Sequence, residues 1–291
     1  MLLGLFHYQI LTDILTEIHT FIDKRAAAEF VLEKISLALD SEGGTVFLAD
    51  ADGCLRPLAA FGAPLSILSK EHFDINKGVI GWVARNQKAI RIDDIKADTR
   101  FDAHIDEHTG FSTRGVAAAP VLFGDKLEGA LEFVNKRKST FNDADLELIT
   151  LAGRELGAVL EKIAVLDELR SVKNIRRALS TMQSGVIITD PHEKIIVINR
   201  RAQEILGTPD CQIYEGADLK DLERQWPALK QTIASVLDTQ IPQHKADFRT
   251  HIKGAKRHLG YSCMPLTDDE GTVSGAALMV QDITAMTLSS N

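Results

Sequence analysis

Hydrophobic residues follow two different periods along the chain, and the alternation between the periods predicts the order of helices and strands. Across residues 2–22 and 25–41 they recur every three or four positions, as on one face of a helix. From residue 44 onward, short apolar runs separated by turn residues predict strands, with a hairpin turn at Asp52-Gly53. The elements predicted for the first half are helices over residues 2–22, 25–41 and 79–86 and strands over residues 44–49, 54–61, 89–92, 115–123 and 127–135.

The second half opens with a long helical pattern and continues with a second set of strands. Apolar residues recur at helical spacing from residue 142, and no proline interrupts them before Gly185. The elements predicted beyond it are strands over residues 185–190, 195–199, 245–253, 257–266 and 275–282 and helices over residues 202–206, 218–222 and 227–237. The whole pattern predicts an α+β protein of two domains, each a central antiparallel sheet flanked by helices, joined by a long signalling helix.

The predicted elements also set the domain boundaries. We expect an N-terminal helix (residues 1–22), a first domain (23–165) ending in the long helix (142–172), a second domain (173–286) and a C-terminal tail (287–291).

The length of the connecting helix suggests a partner. A helix of about 40 residues far exceeds the average of about 12, so its apolar stripe must be buried on something outside a small domain. The simplest partner is the same helix of a second chain, which predicts a parallel homodimer formed by a coiled coil over residues 142–180 together with the N-terminal helix. The alternative is two shorter helices with a break near residues 169–174.

Composition narrows the functional classes. The 291 residues carry a formal net charge of −8, which disfavours binding to a nucleic-acid backbone. No apolar run approaches the ~20 residues that a membrane span needs. The three cysteines, Cys54, Cys211 and Cys263, are scattered without metal-ligand spacing, which fits a reducing compartment. We therefore expect a cytoplasmic protein without nucleic-acid or membrane partners.

The segment from Phe101 to Arg114 is the strongest candidate for function. It combines acids, hydroxyls and two aromatics just before an apolar strand, a composition typical of a loop that closes over a small molecule. Glu132 is a second signal, because a carboxylate in an otherwise apolar strand needs a partner. Asp106, Glu107 and His108 resemble acid–base residues, but neither a nucleophile nor a metal-ligand set accompanies them. We therefore expect a sensor that is not itself an enzyme and has no metal site.

Three segments of the first domain resemble the GAF family: residues 43–50, 76–84 and 120–145. Within that family, Phe101 and Asp106 followed by Thr-Gly-Phe-x-Thr-Arg at residues 109–114 are similar to the cyclic-nucleotide-binding GAF domains of phosphodiesterases and adenylyl cyclases. The Asn-Lys…Phe-x-x-x-Asp-Glu signature of this subfamily is matched by Asn135, Lys136, Phe141 and Asp145, with Leu146 in place of the last acid.

This resemblance implies a cyclic nucleotide, cAMP or cGMP, as the ligand. The implied ligand-binding residues are Thr45, Phe61, Val79, Ile80, Phe101, Asp102, Asp106, Thr109, Phe111, Thr113 and Glu132. The helix that opens at Gly78 would offer backbone N–H groups to the phosphate, and the two aromatics Phe61 and Phe111 would pack against the base. Gly62 and Asp102 differ from the residues of some relatives, which leaves the choice between adenine and guanine open.

The second domain resembles the PAS family in residues 185–190, residues 198–202 and the closing Asp282-Ile283-Thr284. Such an ending is typical of a PAS domain that passes a signal to an output domain. We therefore expect the sensory part of a bacterial-type signalling protein that acts on an output domain or a partner signalling protein.

Other ligands and roles remain as alternatives to the cyclic nucleotide. The domains would then sense another small molecule, or form a ligand-free dimerisation and relay scaffold. A bilin is not expected because residues 101–114 lack cysteine, and a flavin is not expected because no Asn-Cys-Arg motif is present. Haem is not expected either, since His244, His251 and His258 lie on predicted strands, where packing or surface roles are commoner.

Overall fold

The computed structural model describes residues 4–207, 214–223, 225–252 and 255–285. It divides the chain into two compact units, Met1–Glu168 and Leu169–Asn291. The predicted tail over residues 287–291 lies outside the described residues, as do residues 1–3 of the predicted N-terminal helix and Cys211. Among the helices within the described ranges, none is both long and apolar enough to cross a membrane.

The first unit is a six-stranded antiparallel sheet with helices on both faces. Its helices are α1 (Leu5–Glu17), α2 (Lys24–Leu39), α3 (Leu65–Leu68), α4 (Gly78–Asn86), α5 (His104–Thr109) and the first part of α6 (Asp143–Thr181). Its strands are β1 (Ser41–Ala49), β2 (Cys54–Phe61), β3 (Phe73–Asp74), β4 (Ile90–Ile92), β5 (Val116–Phe123) and β6 (Lys126–Lys136). The strand order is β3-β2-β1-β6-β5-β4, which places β1 and β6 at the centre.

Alternating side chains on the central strands face two different cores. Leu131 and Phe133 of β6 pack with α1, α2 and α6, whereas Ala130 packs on the opposite face with α4. Glu132 therefore points to the α4 face. It lies directly opposite Thr45 of β1 on one side and Ala118 of β5 on the other. The strand register alone thus brings a carboxylate to the middle of the α4 face.

The helix α6 packs closely on the other face of the sheet. A Cβ added at Gly157 would lie 2.2 Å from the carbonyl oxygen of Leu122, so only glycine allows this approach of helix to strand. The buried positions of α6 run from Asp145 to Ile163, and the helix then continues without a break to Thr181. It extends nine residues beyond the predicted end at residue 172, and the alternative with a break near residues 169–174 is wrong.

The second unit is a five-stranded antiparallel sheet with helices inserted after its second strand. Its strands are β7 (Gly185–Thr189), β8 (Ile195–Ile198), β9 (Gln243–Ile252), β10 (Ala255–Thr267) and β11 (Val273–Asp282), in the order β8-β7-β11-β10-β9. Its helices are α7 (Arg200–Leu206), α8 (Lys220–Glu223) and α9 (Pro227–Thr239). Buried Asn199 caps α7 through Ala202 N–H at 2.9 Å and also donates to the carbonyl of Leu179 at 2.8 Å, which ties the end of α6 to this sheet.

The predicted fold class is confirmed: both units are antiparallel sheets flanked by helices, and a long helix connects them. Within the described residues, four short elements were not predicted, namely α3, β3, α5 and a 3₁₀ turn, Ile95–Ala97. The N-terminal helix is shorter than residues 1–22, because α1 ends at Glu17 and a 3₁₀ turn, Ile18–Thr20, follows it.

Candidate functional site

Two adjoining chambers lie between the α4 face of the first sheet and the segment from Phe101 to Arg114, which we call the lid. The larger chamber has a volume of about 130 Å³ and the smaller about 60 Å³. The residues that line both chambers are Ile105, Asp106, Thr113, Glu132 and Val134. Because they share this wall, we treat the two chambers as one cavity, roofed by the lid and floored by β6.

All eleven residues proposed from the sequence as ligand contacts line this cavity. Val79, Ile80, Phe101 and Asp102 line the larger chamber, Thr45, Phe61, Thr109 and Phe111 line the smaller, and Asp106, Thr113 and Glu132 line both. The structure thus brings together residues that are up to 87 positions apart in the sequence, between Thr45 and Glu132.

Glu132 is the most perturbed ionisable group of the cavity. Burial raises the pKa of its carboxyl to about 7, and the negative charge of nearby Asp106 adds to the increase. Among the described residues, none forms a hydrogen bond or ion pair with this carboxyl. Near neutral pH it can therefore donate or accept a hydrogen bond, and it is available to a ligand in the cavity.

The lid is held in shape by its own hydrogen bonds. The Asp106 carboxylate accepts from the Thr113 hydroxyl at 2.6 Å and from the Thr113 N–H at 2.7 Å. The Thr109 hydroxyl donates to the carbonyl of Ile105 at 2.8 Å, and Gly110 ends α5 with a left-handed φ of 69°. These bonds form a closed loop in which Asp106 and Thr113 face the cavity.

The N-terminus of α4 forms one end of the larger chamber. Gly78, Val79 and Ile80 line it, and their first-turn N–H groups have no partner within the helix. Lys77, the residue just before α4, also lines this chamber and is exposed. Lys77 was not among the predicted ligand contacts, although a cation immediately before a Gly-opened helix is a recognisable signal for anion binding.

Asn135 fastens the C-terminal end of the lid to the sheet. Its amide oxygen accepts from Arg114 N–H at 2.7 Å, and its amide nitrogen donates to the Ser112 carbonyl and to Glu42, both at 2.9 Å. Arg114 binds the same Glu42 carboxylate through two nitrogens, at 2.9 and 3.2 Å. Hydrogen bonds from Arg114 and then Asn135 lower the pKa of Glu42 below its usual value.

Lys136 and Asp145, the next part of the signature, connect β6 to the start of α6. Lys136 Nζ lies 2.6 Å from Asp145 Oδ2, and Asp145 is fully buried. The Asp145 carboxylate also contacts His7 of α1 at 3.1 Å and accepts from Asn142 N–H at 2.9 Å. Phe141 is buried beside this turn. All four signature residues therefore stabilise the fold beneath the lid and lie outside the cavity lining.

Gly62 is fixed by backbone geometry. Its φ is 84°, and an added Cβ would lie 2.5 Å from the carbonyl oxygen of Glu42. A side chain at this position would therefore clash with β1, and position 62 of this chain cannot supply a contact to the base.

The acid–base trio of α5 does not converge on one point. Asp106 faces the cavity, Glu107 is exposed, and His108 Nδ1 lies 2.8 Å from Glu71 on the outer side of the lid. In the second unit, His244 and His251 are exposed on β9, and His258 contacts Asp247.

The two antiparallel sheets and the connecting helix define a protein of two sensory domains. Residues 22–161 match the family model described as the GAF domain, and residues 179–287 match the one described as the PAS fold. The chain thus carries a GAF domain followed by a PAS domain.

Relatives of the first domain include cyclic-nucleotide phosphodiesterases. Over 156 residues the chain is 30% identical to a probable 3',5'-cyclic phosphodiesterase, pde-5, of Caenorhabditis elegans, covering 52% of this chain and 21% of that protein. Over 264 residues it is 22% identical to the dual 3',5'-cyclic-AMP and -GMP phosphodiesterase 11A of Takifugu rubripes, covering 86% and 28%. The chain therefore spans less than a third of the length of these relatives.

A solved structure supports the fold of the first domain. The GAF domain of a phosphoenolpyruvate-protein phosphotransferase from Coxiella burnetii superposes with a TM-score of 0.52 at 18% identity, covering 56% of this chain and 96% of that domain.

Proposed function

We propose that the GAF domain binds a cyclic nucleotide, cAMP or cGMP, in the cavity under the lid. The observation that carries this proposal is Glu132, a carboxyl group in the middle of the cavity floor with a pKa near 7. No residue in the described part of the chain forms a hydrogen bond or ion pair with it. A purine base offers N–H donors and ring acceptors that such a group can bind in either protonation state. The similarity to phosphodiesterases that act on cyclic nucleotides supports the same ligand class.

The two chambers suit the two ends of a cyclic nucleotide. In our proposal the phosphodiester lies in the larger chamber, where the α4 N-terminus offers N–H groups and Lys77 offers a positive charge. The base lies in the smaller chamber between Phe61 and Phe111, two aromatic residues with the flat apolar surfaces that a purine prefers. Glu132, which lines both chambers, would then contact the base edge or the ribose.

We further propose that the protein is regulatory and not itself an enzyme, and that it acts as a parallel homodimer on an output domain or a partner signalling protein. Beyond its buried half, α6 exposes Val165, Leu169, Val172 and Ile175 at spacings of three and four residues. Such a stripe suits a coiled coil with the same helix of a second chain. Ligand binding would reorder the lid, shift α6 and so reach the PAS domain.

Thermal unfolding of the full chain with cAMP or cGMP tests the ligand. A nucleotide at ~100 times its Kd adds about 2.7 kcal/mol of stability, which raises the melting temperature by several degrees. Glu132→Ala and Thr109→Ala should abolish the increase. Glu128→Ala is the matched control, since Glu128 lies on the same strand, outside the cavity lining, in an ion pair with Lys126. No increase with either nucleotide at millimolar concentration contradicts the proposal.

A ligand-free relay scaffold is the second candidate, and the exposed stripe on α6 favours it. It predicts a stable dimer without nucleotide and an unchanged melting temperature in its presence.

A further inference from the structure

The outer side of the lid carries three potential metal ligands that belong to no part of the cavity described above. His104 and His108 lie one helical turn apart on α5, and Glu71 lies beside them just after α3. One ligand atom of each lies within 4.8 Å of the others. The two imidazole rings have centroids 4.0 Å apart.

The distances suit a small divalent metal ion. His108 Nδ1 lies 2.8 Å from Glu71 Oε1, and His104 Nδ1 lies 3.6 Å from Glu71 Oε2. A tetrahedral Zn²⁺ with bonds of about 2.0–2.1 Å separates its ligand atoms by about 3.3 Å, which lies between these two values. His104 and His108 are four residues apart on one face of α5, and this is the spacing at which a helix commonly presents two histidine nitrogens to zinc.

The environment of Glu71 also favours metal binding. Only 14% of its side chain is exposed, and within the described parts of the chain its carboxylate has the two histidines as its only side-chain partners. Both histidines are about half exposed, at 55% and 50%, so their rings can rotate to complete the coordination without disturbing the core.

We propose that Glu71, His104 and His108 form a site for a divalent transition metal, with Zn²⁺ as the ion to test, and that the bound metal fastens the lid to the end of α3. Two nitrogens and one carboxylate oxygen leave a fourth position for water. Ile105 and Asp106, which lie between the two histidines, line the cavity. Metal on the outer side would therefore hold the inner side of α5 in place. This site does not depend on which molecule fills the cavity.

The test is a Zn²⁺ titration of the full chain without a histidine tag, in competition with a chelating indicator. We expect one Zn²⁺ per chain, with affinity lowered by more than about 10-fold in each of His104→Ala, His108→Ala and Glu71→Gln. His19→Ala should bind as the wild type does, because His19 faces the single carboxylate of Glu155, at 3.4 Å. Unchanged affinity in the two α5 variants, or no binding by the wild type, overturns the proposal.

Four further measurements distinguish this site from neighbouring donors and from the cavity. Cys54 Sγ lies 3.8 Å from His72, and these two residues are an alternative pair of donors. Cys54→Ser must therefore retain full affinity, and Co²⁺ must bind without thiolate charge-transfer absorption.

Zn²⁺ should also slow hydrogen exchange of amides in residues 101–113 of the wild type and not of His108→Ala. Glu132→Ala should still bind Zn²⁺, which separates a failure of this site from a failure of nucleotide binding.

Discussion

The ionisation of Glu132 makes a quantitative prediction about stability and pH. Its carboxyl has a pKa of about 7 in the folded protein against an ordinary value of 4.5, because burial and Asp106 both disfavour the charged form. Below pH 4.5 the group is protonated in the folded and unfolded states alike, so it costs nothing. Between pH 4.5 and about pH 7 the carboxyl is ionised in the unfolded chain but still protonated in the folded protein. The free energy of unfolding therefore falls as the pH rises through this window, and the loss is complete above pH 7.

The size of the effect follows from the shift. At about 1.4 kcal/mol per pKa unit, the change from 4.5 to about 7 corresponds to about 3 kcal/mol of destabilisation at pH 8 and above. Glu132→Gln removes the ionisable group and keeps the shape of the side chain. The free energy of unfolding of the variant, taken relative to the wild type, should therefore rise by about 3 kcal/mol between pH 4.5 and pH 8. The amide itself adds a difference that does not depend on pH.

Urea unfolding of wild type and variant at several pH values measures this difference. The sequence contains two tryptophans, Trp82 on α4 of the GAF domain and Trp226 in the PAS domain. In a Trp226→Phe background, fluorescence of Trp82 reports unfolding of the GAF domain alone. Carboxylates that do not interact with Glu132 contribute equally in both proteins, so they cancel in the difference.

Glu42 serves as a matched control, because its contribution to stability changes with pH in the opposite direction. Hydrogen bonds from Arg114 and Asn135 lower the pKa of Glu42, so Glu42 stabilises the fold above pH 4.5 and loses this contribution as the pH falls through its folded pKa. Glu42→Gln should therefore be less stable than the wild type at neutral pH, by an amount that shrinks on acidification. If the difference in stability between Glu132→Gln and the wild type changes by less than about 0.5 kcal/mol between pH 5 and 8, the Glu132 carboxyl is solvated and burial does not raise its pKa.

Three other changes test the lid, the phosphate end and the dimer. Asn135→Ala should destabilise the GAF domain by about 2–4 kcal/mol in urea unfolding, because it removes the partly buried hydrogen bonds to Arg114 N–H and the Ser112 carbonyl and places alanine at a φ of 58°. Equal losses in Asn135→Gly and Asn135→Ala would mean that this backbone conformation carries no cost. Lys77→Ala should weaken nucleotide binding about fivefold at low ionic strength and less in high salt, as measured by calorimetry; a salt-independent loss argues against a charge contact. The double variant Leu169→Asp, Val172→Asp should sediment as a monomer, whereas the wild type should sediment as a dimer. A wild type that sediments as a monomer contradicts the coiled coil.

The larger elements could be predicted because their hydrophobic patterns are long and regular. The strand β5 is a continuous apolar run, β6 has an apolar stretch from Gly129 to Val134 interrupted only by Glu132, and α6 repeats its apolar positions over many turns. The lid helix α5 reads His-Ile-Asp-Glu-His-Thr, six largely polar residues with no apolar period, so only its packing against α3 and its end at Gly110 define it. The two-residue strand β3 is likewise too short to leave a pattern.

The residues that line the cavity could be predicted from the sequence through family resemblance. The physical roles of the residues around the cavity could not be predicted in this way. The cluster of Glu71 with His104 and His108 joins residues 33 and 37 positions apart, and no spacing rule connects them. The resemblance singled out Asn135 and Lys136 without indicating whether they touch the ligand. Their partners, Glu42 and Asp145, become apparent only when β1 and α6 are placed beside β6.

The positions of Asn135 and Lys136 also suggest how the lid communicates with α6. In a regular strand Lys136 would face the same side as Glu132 and Val134, towards the cavity. The left-handed backbone of Asn135, with a φ of 58°, interrupts this alternation, and Lys136 beyond it contacts Asp145 in the first turn of α6. Asn135 holds the end of the lid, and its neighbour holds the start of α6, so two consecutive residues connect them. Asparagine suits this position because it tolerates a left-handed φ and still offers both a donor and an acceptor to the lid.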